Sequence, residues 1–135
     1  MRIVGLDGKY HNWNLKYKKP SSKCSKLHRR ARNLLKKLFP FDTIYEEVIL
    51  PGSRISRRLR VLRADFYIPG QNLLIEVHGQ QHYKYSNKYH KTKMDFIESK
   101  SRDRDKEQWC KLNHIKFVEL PYNENNTKWE KRIEQ

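Results

Sequence analysis

The chain has 135 residues, a length suited to one domain around a single core. Thirty Lys and Arg stand against 15 Asp and Glu, a formal charge of +15 that points to a polyanionic partner, nucleic acid before a membrane surface. No apolar run approaches the roughly 18 residues of a membrane span, the first residues lack a secretory apolar stretch, and Cys24 and Cys110 are too few for a disulfide framework or a four-cysteine zinc site, which together fit a soluble protein of a reducing compartment.

Asp7-Gly8-Lys9 is a hairpin-turn signal between two short extended runs, and 1–20 reads as an N-terminal hairpin or arm. Ser21-Ser22 offers an N-cap, after which Leu27, Ala31, Leu34, Leu35 and Leu38 recur at helical spacing until Phe39-Pro40 ends the helix. A strand over 44–50 stops at Pro51-Gly52, and the arginine-rich stretch 54–60 reads as a loop or ragged hairpin arm. Strand 61–68 alternates, with Leu62, Ala64, Phe66 and Ile68 on one face and Val61, Arg63, Asp65 and Tyr67 on the other. Pro69-Gly70-Gln71-Asn72 turns the chain into strand 73–78, whose apolar content suits a central position. Gly79 breaks it, and a polar, aromatic loop runs to His90-Lys91. Thr92 caps a long helix to about residue 113, with Phe96, Ile97, Trp109 and Leu112 as inward residues. Strand 115–120 and a short helix over 129–133 complete the order. The expected fold is α/β, a mixed central sheet flanked by helices in a single domain, with 21–120 as its core and 121–135 as a C-terminal helix.

Charge is unevenly spread. Residues 9–63 hold sixteen Lys and Arg against three acids (Asp42, Glu46 and Glu47), a net of +13, whereas 64–135 is nearly balanced. The basic half reads as a phosphate-gripping surface through Lys23, Arg29, Arg30, Arg54, Arg57 and Arg58, with Lys84 in the later loop. The plainer reading of such a run is a solvated face. Tyr83, Tyr85 and Tyr89 among lysines suit either stacking on bases or loop packing.

Two acids stand where core residues belong. Glu76 interrupts Leu73-Leu74-Ile75 and Val77, and an unpaired carboxylate buried there is costly without a partner or a metal. Alternation puts Leu74, Glu76 and His78 on one face. If 61–68 and 73–78 pair across their four-residue turn, Asp65 converges on Glu76. Two such carboxylates make a hard, oxygen-rich site suited to Mg²⁺ or Mn²⁺, with His78 as a basic neighbour. Phosphodiester hydrolysis requires this set: a cation that polarises the phosphate and activates water, and a basic group beside it. The bland readings pair Glu76 with Arg63 or His78, make Asp65 a turn cap, leave Asp103 in solvated ion pairs, and treat His28 and His90 as surface or packing residues. His78 and His82 would suit zinc on a helix, which Gly79 disfavours. His82 divides between a site residue and loop packing.

Asp65-x10-Glu76-Val77-His78 resembles the PD-(D/E)XK nuclease signature, with His78 where that superfamily commonly carries lysine. The longer string Glu76-Val77-His78-Gly79-Gln80-Gln81-His82-Tyr83, with Ser101-Arg102-Asp103-Arg104-Asp105-Lys106 and Trp109-Cys110, resembles phage endonucleases related to the very short patch repair enzyme, including free-standing homing endonucleases with an EDxHD pattern. The resemblance implies a restriction-endonuclease-like core and a Mg²⁺-dependent endonuclease, with Mn²⁺ able to substitute. It implies double-stranded DNA as substrate, 5′-phosphate products and the cytoplasm as the place of action, that of the bacterial host if the protein is phage-encoded; with one site per chain, a double-strand cut needs a homodimer or two successive nicks. It makes Asp65 the central metal ligand beside Glu76, His78 the catalytic histidine and Asp103 a supporting acid. Glu46 or Glu47 then supplies the early glutamate, which in the repair enzyme comes from a first helix that here offers only His28. The repair enzyme's zinc ligands are absent, so mismatch specificity is not implied. A non-catalytic nucleic-acid-binding module on a nuclease fold and a junction resolvase stand as alternatives.

Overall fold

A computed structural model describes residues 1–55, 60–80, 83 and 92–135. Strands β1 (Arg2–Val4) and β2 (Tyr10–Asn12) pair antiparallel around the Asp7-Gly8-Lys9 turn, where Gly8 takes φ 77°, a conformation that suits a residue without Cβ. Helix α1 (Lys26–Leu38) precedes strands β3 (Tyr45–Leu50), β4 (Leu62–Ile68) and β5 (Leu73–His78). Helix α2 (Lys93–Leu112) crosses to β6 (Lys116–Pro121), and α3 (Asn126–Glu134) follows. The four long strands form one sheet in the order β3-β4-β5-β6, antiparallel except for the parallel pair β5 and β6. A parallel pair needs a crossover, and α2 supplies it. The result is a mixed α/β domain with three helices.

Both faces of the sheet are covered. On one, Val48, Leu50, Leu62, Ala64, Tyr67 and Leu74 cluster with Trp109 and Cys110 of α2 and with Ile3 and Trp13. On the other, Phe66, Ile68, Leu73, Ile75, Val118 and Leu120 cluster with Ala31, Leu34 and Leu35 of α1 and with Trp129 and Ile133 of α3. Burial on both sides explains why β5 is apolar almost without interruption. Residues 1–20 are more than an arm: Trp13 stacks on Tyr67 at 4.4 Å, meets Trp109 edge-on at 5.1 Å, and donates its indole N–H to the Ile49 carbonyl at 3.0 Å. Asn113, at the end of α2, ties the hairpin down by bonding both the N–H and the carbonyl of Val4.

Several expectations need correction. The cap of α1 is Ser25, whose hydroxyl accepts the His28 N–H at 3.0 Å; Ser21 instead accepts from Lys23 in a local turn. The Ser21 and Ser22 carbonyls are drawn along the helix by Arg32 and Arg29. Helix α3 begins earlier than expected because Asn125 caps it, accepting from Lys128. On α2 only Trp109 and Cys110 are buried, while Ile97 and Leu112 are exposed. At 3.6 residues per turn Ile97 lies about 120° round the helix from Trp109, outside the contact stripe. The alternation in β4 breaks at Asp65: Leu62 and Ala64 face α2, whereas Phe66 and Ile68 face α1 and Tyr67 joins the Trp13 stack. Among the described residues no helix is long and apolar enough to cross a membrane.

Candidate catalytic centre

The break in β4 is where the chemistry-bearing side chains gather. Strands β4 and β5 pair regularly from Ile68↔Leu73 to Phe66↔Ile75. At the next step side chains take over from the main chain. Glu76 Oε2 accepts the Asp65 N–H at 2.7 Å, and Asp65 Oδ2 accepts the Val77 N–H at 2.8 Å. Each carboxylate is thus pinned by the backbone of the opposite strand, and the convergence expected from the hairpin is present.

Glu76 is only 2% exposed, and its ionic partner is neither Arg63 nor His78 but Lys106 of α2, whose Nζ donates to Oε1. Burial first, and the neighbouring Asp65 second, push its carboxyl up to about 8 against the pull of Lys106. A nearby cation would favour its ionised form.

His78 is buried beside it. Its Nδ1 lies 3.2 Å from Glu119 Oε2, and its Nε2 lies 3.8 Å from Asp103 Oδ1. The hydrogen bond to His78 is the main cause holding the Glu119 carboxyl below its ordinary value. Ligand atoms of Glu76, His78 and Asp103 lie within 4.8 Å of one another. Glu119 escaped the sequence reading, although the signal was there: like Glu76, it interrupts an apolar run, between Val118 and Leu120. The parallel register places Glu119 opposite Glu76. Tyr83 meets His78 at 6.1 Å between ring centroids.

A second group, His28, Glu47 and Asp65, also brings its ligand atoms within 4.8 Å. The choice between the two glutamates is made by the backbone. Glu47 has φ 52°, the left-handed region that costs a side-chain-bearing residue about 1–3 kcal/mol. That twist lets consecutive residues both reach His28, where an unbroken strand would send them to opposite faces. Glu46 is then occupied by a two-bond fork from Arg32, at 2.8 Å each, and by His28 Nε2 at 2.7 Å. Glu47 remains beside Asp65, its carboxyl raised by burial and by Asp65. His28 is far from a surface residue, being 8% exposed and stacked on Phe66 at 4.4 Å.

Burial alone would raise the Glu46 carboxyl, but Arg32 and His28 more than offset it and hold it below its ordinary value. An acid lowered in the folded state contributes stability above its unfolded pKa and loses it as pH falls through the folded one. Arg32→Ala is expected to cost about 2–3 kcal/mol at neutral pH, as for a mostly buried pair with one partner removed. Urea titrations of both proteins should show that difference narrowing as pH falls through and below the ordinary carboxylate range, where Glu46 takes up its proton.

The basic residues divide. Lys23, Arg29 and Arg54 are exposed, with Arg29 donating to the Ser22 carbonyl. Arg30 is not available to phosphate as expected: its guanidinium lies 3.6 Å over the Trp129 ring and donates to Asn126 and to the Glu124 carbonyl, which ties α1 to α3. Arg57, Arg58, His82 and Lys84 lie outside the described residues, as do Tyr85, Tyr89 and His90.

The fold and centre together define a mixed α/β domain with carboxylates and histidines gathered at an interrupted β-ladder. No family model matches the chain, and no solved structure does. Part of it is similar to uncharacterized protein 307L of Invertebrate iridescent virus 6, 38% identical over 61 residues, which are 45% of this chain and 31% of that protein. Uncharacterized protein 033L of Invertebrate iridescent virus 3 is 31% identical over 61 residues, with the same shares. Uncharacterized protein 094L of Frog virus 3 is 36% identical over 64 residues, 47% of this chain and 41% of that protein. The chain thus spans less than half the length of these curated relatives.

Proposed function

We propose that the protein is a divalent-metal-dependent DNA endonuclease on a restriction-endonuclease-like core. The observation that carries this reading is the reciprocal pinning of Asp65 and Glu76 on neighbouring strands, with buried His78 two residues beyond Glu76. The order of helix, three antiparallel strands, crossover helix and parallel strand supports the core assignment. The donor set fits the cation. Asp65 and Glu47 offer hard oxygens suited to Mg²⁺, and a nitrogen from His28 in the same group would favour Mn²⁺ as a substitute, while Glu76 stands in the adjoining group with His78 and Asp103. When bound, the cation supplies charge neutralisation at the phosphate and a more acidic attacking water.

The chain's own groups do the rest. Glu119 accepts from Nδ1 of His78 and so leaves Nε2 as the nitrogen that takes a proton from the attacking water. Asp103 Oδ1 faces that nitrogen at 3.8 Å and places a carboxylate beside the proton it receives. Lys106 holds Glu76 in place through Oε1. Among the described residues one chain carries one such centre, so cutting both strands requires a homodimer or two successive nicks. The viral relatives fit a protein that works in an infected cell.

The second reading, a nucleic-acid-binding module without catalysis, is favoured by one observation: both Glu76 oxygens already have protein donors. Conversion of supercoiled plasmid to nicked or linear DNA, with Mg²⁺, Mn²⁺ or EDTA, separates the two. Metal-dependent conversion supports the nuclease; a tight mobility shift without conversion under either metal favours the module. Glu47→Gly adds a subtler test. Glycine relieves the left-handed backbone and should raise stability by up to about 1 kcal/mol. Mn²⁺ affinity, read by calorimetry, should fall about tenfold or more. A variant that is more stable and binds the metal as well as before would remove Glu47 from the centre.

A further inference from the structure

The β3–β4 hairpin is covered on one side only. Val48, Leu50, Leu62 and Ala64 face the α2 cluster, whereas the cross-strand pair Ile49 and Arg63 is exposed on the other side. Helix α1 does not reach that pair; it packs with Phe66, Ile68, Leu73 and Ile75 nearer the middle of the sheet. The chain after β2 is fastened at β3 by the Trp13 indole bond to the Ile49 carbonyl. Between this segment and the hairpin lies a groove of about 430 Å³. Glu46 and Glu47 line it near the start of β3, and Lys16, Lys18 and Arg63 supply its positive charge.

The distribution of charge is directional. Of the two acids of the groove, Glu47 belongs to the candidate centre beside Asp65, and Glu46 is neutralised by Arg32. The remaining charged lining is cationic, and the side-chain amides of Asn12 and Asn14 add donors. Exposed Ile49 provides an apolar strip of the kind a sugar edge covers. A polyanion lying along the cations would therefore bring one of its phosphates to the carboxylates. We infer that this groove binds the phosphodiester backbone of the DNA strand that reaches the centre, through Lys16, Lys18 and Arg63. The inference rests on the nuclease reading for its substrate and adds residues that the charge count alone did not single out. A second basic groove, of about 620 Å³ between α1 and α3, carries Lys26, Arg29 and Lys37 but no side chain of the centre.

The two grooves supply test and control, because Lys16, Lys18 and Arg63 in one and Lys26 and Lys37 in the other are exposed and their removal leaves the core intact. Anisotropy of a labelled DNA duplex in EDTA, over a range of salt, reads binding without cutting. For Lys16→Ala/Lys18→Ala/Arg63→Ala the salt slope should fall by about 3 and affinity near 0.1 M salt by about 10²-fold, at roughly 0.9 of slope per phosphate contact. Lys26→Ala/Lys37→Ala should keep its slope within about 1 of the parent. An unchanged slope in the groove variant, or equal losses in both, overturns the inference. Plasmid cutting by the parent in Mg²⁺ is read in parallel. Loss of binding by the groove variant beside a parent that never cuts supports the groove and removes the nuclease reading. Cutting by the parent beside unaltered binding by the variant removes the groove and leaves the nuclease.

Discussion

Asp65→Asn should reduce metal-dependent plasmid nicking by about 10³-fold or more while leaving the protein folded. The substitution is nearly isosteric, and the Asn side-chain oxygen still accepts the Val77 N–H that Asp65 Oδ2 accepts at 2.8 Å. What disappears is one negative charge at the point where the two clusters meet, since Asp65 stands with His28 and Glu47 and also accompanies Glu76. A bound cation contributes several kcal/mol to phosphoryl charge stabilisation, and about 4 kcal/mol corresponds to a thousandfold in rate. The stability effect should have the opposite sign. Asp65 is a cause of the raised carboxyls of both Glu76 and Glu47, so removing its charge relieves repulsion. At neutral pH the variant should unfold at slightly higher urea, by about 0.5–1 kcal/mol. Lost activity with gained stability marks a residue kept for chemistry. Nicking at the parental rate would place the metal elsewhere.

The same pH argument applies to Glu76. Its folded carboxyl is raised to about 8, so between about pH 4.5 and 8 the unfolded chain gives up its proton first and stability falls as pH rises. Above about 8 both states are ionised and the fall ends.

How much of this was legible in the sequence depended on the range of the forces involved. Strand β5 was readable at 73–78 because an apolar run ends against Asn72 and Gly79, and its carboxylate was conspicuous for the same reason. Thr92 was readable as a cap because its partner is only three residues away: Asp95 completes a reciprocal capping box. Lys106 was not readable as the partner of Glu76. That contact spans thirty residues and exists only because α2 crosses the sheet at one particular place. Glu46 and Glu47 were indistinguishable in sequence, since their roles are divided by a single positive φ. The face change at Asp65 was hidden for a related reason: alternation presumes an unbroken ladder, and side chains replace main-chain bonds at that step. Arg30 looked like a phosphate ligand because nothing local announces that Trp129 will lie under it.

Trp13→Ala should be the most damaging substitution for the fold, at about 3–5 kcal/mol by urea or thermal unfolding. Trp13 is 4% exposed, its ring is sandwiched against Tyr67 and the edge of Trp109, and its N–H satisfies the Ile49 carbonyl. Removing it opens a cavity, breaks two aromatic contacts and leaves a carbonyl of β3 without its donor. Against a total stability of about 5–15 kcal/mol for a domain of this size, that is a large share. Trp13→Phe separates the terms: it keeps most of the stacking and gives up the hydrogen bond, and should cost roughly 1–2 kcal/mol. A cost for Trp13→Ala below about 0.5 kcal/mol, the range of surface substitutions, would mean that residues 1–20 are an appendage after all. The consequence reaches the centre as well, because β3 is an edge strand with only β4 beside it in the sheet. Without Trp13 the edge that carries Glu46 and Glu47 loses its outer clamp, so a milder destabilised variant should lose metal affinity before it unfolds.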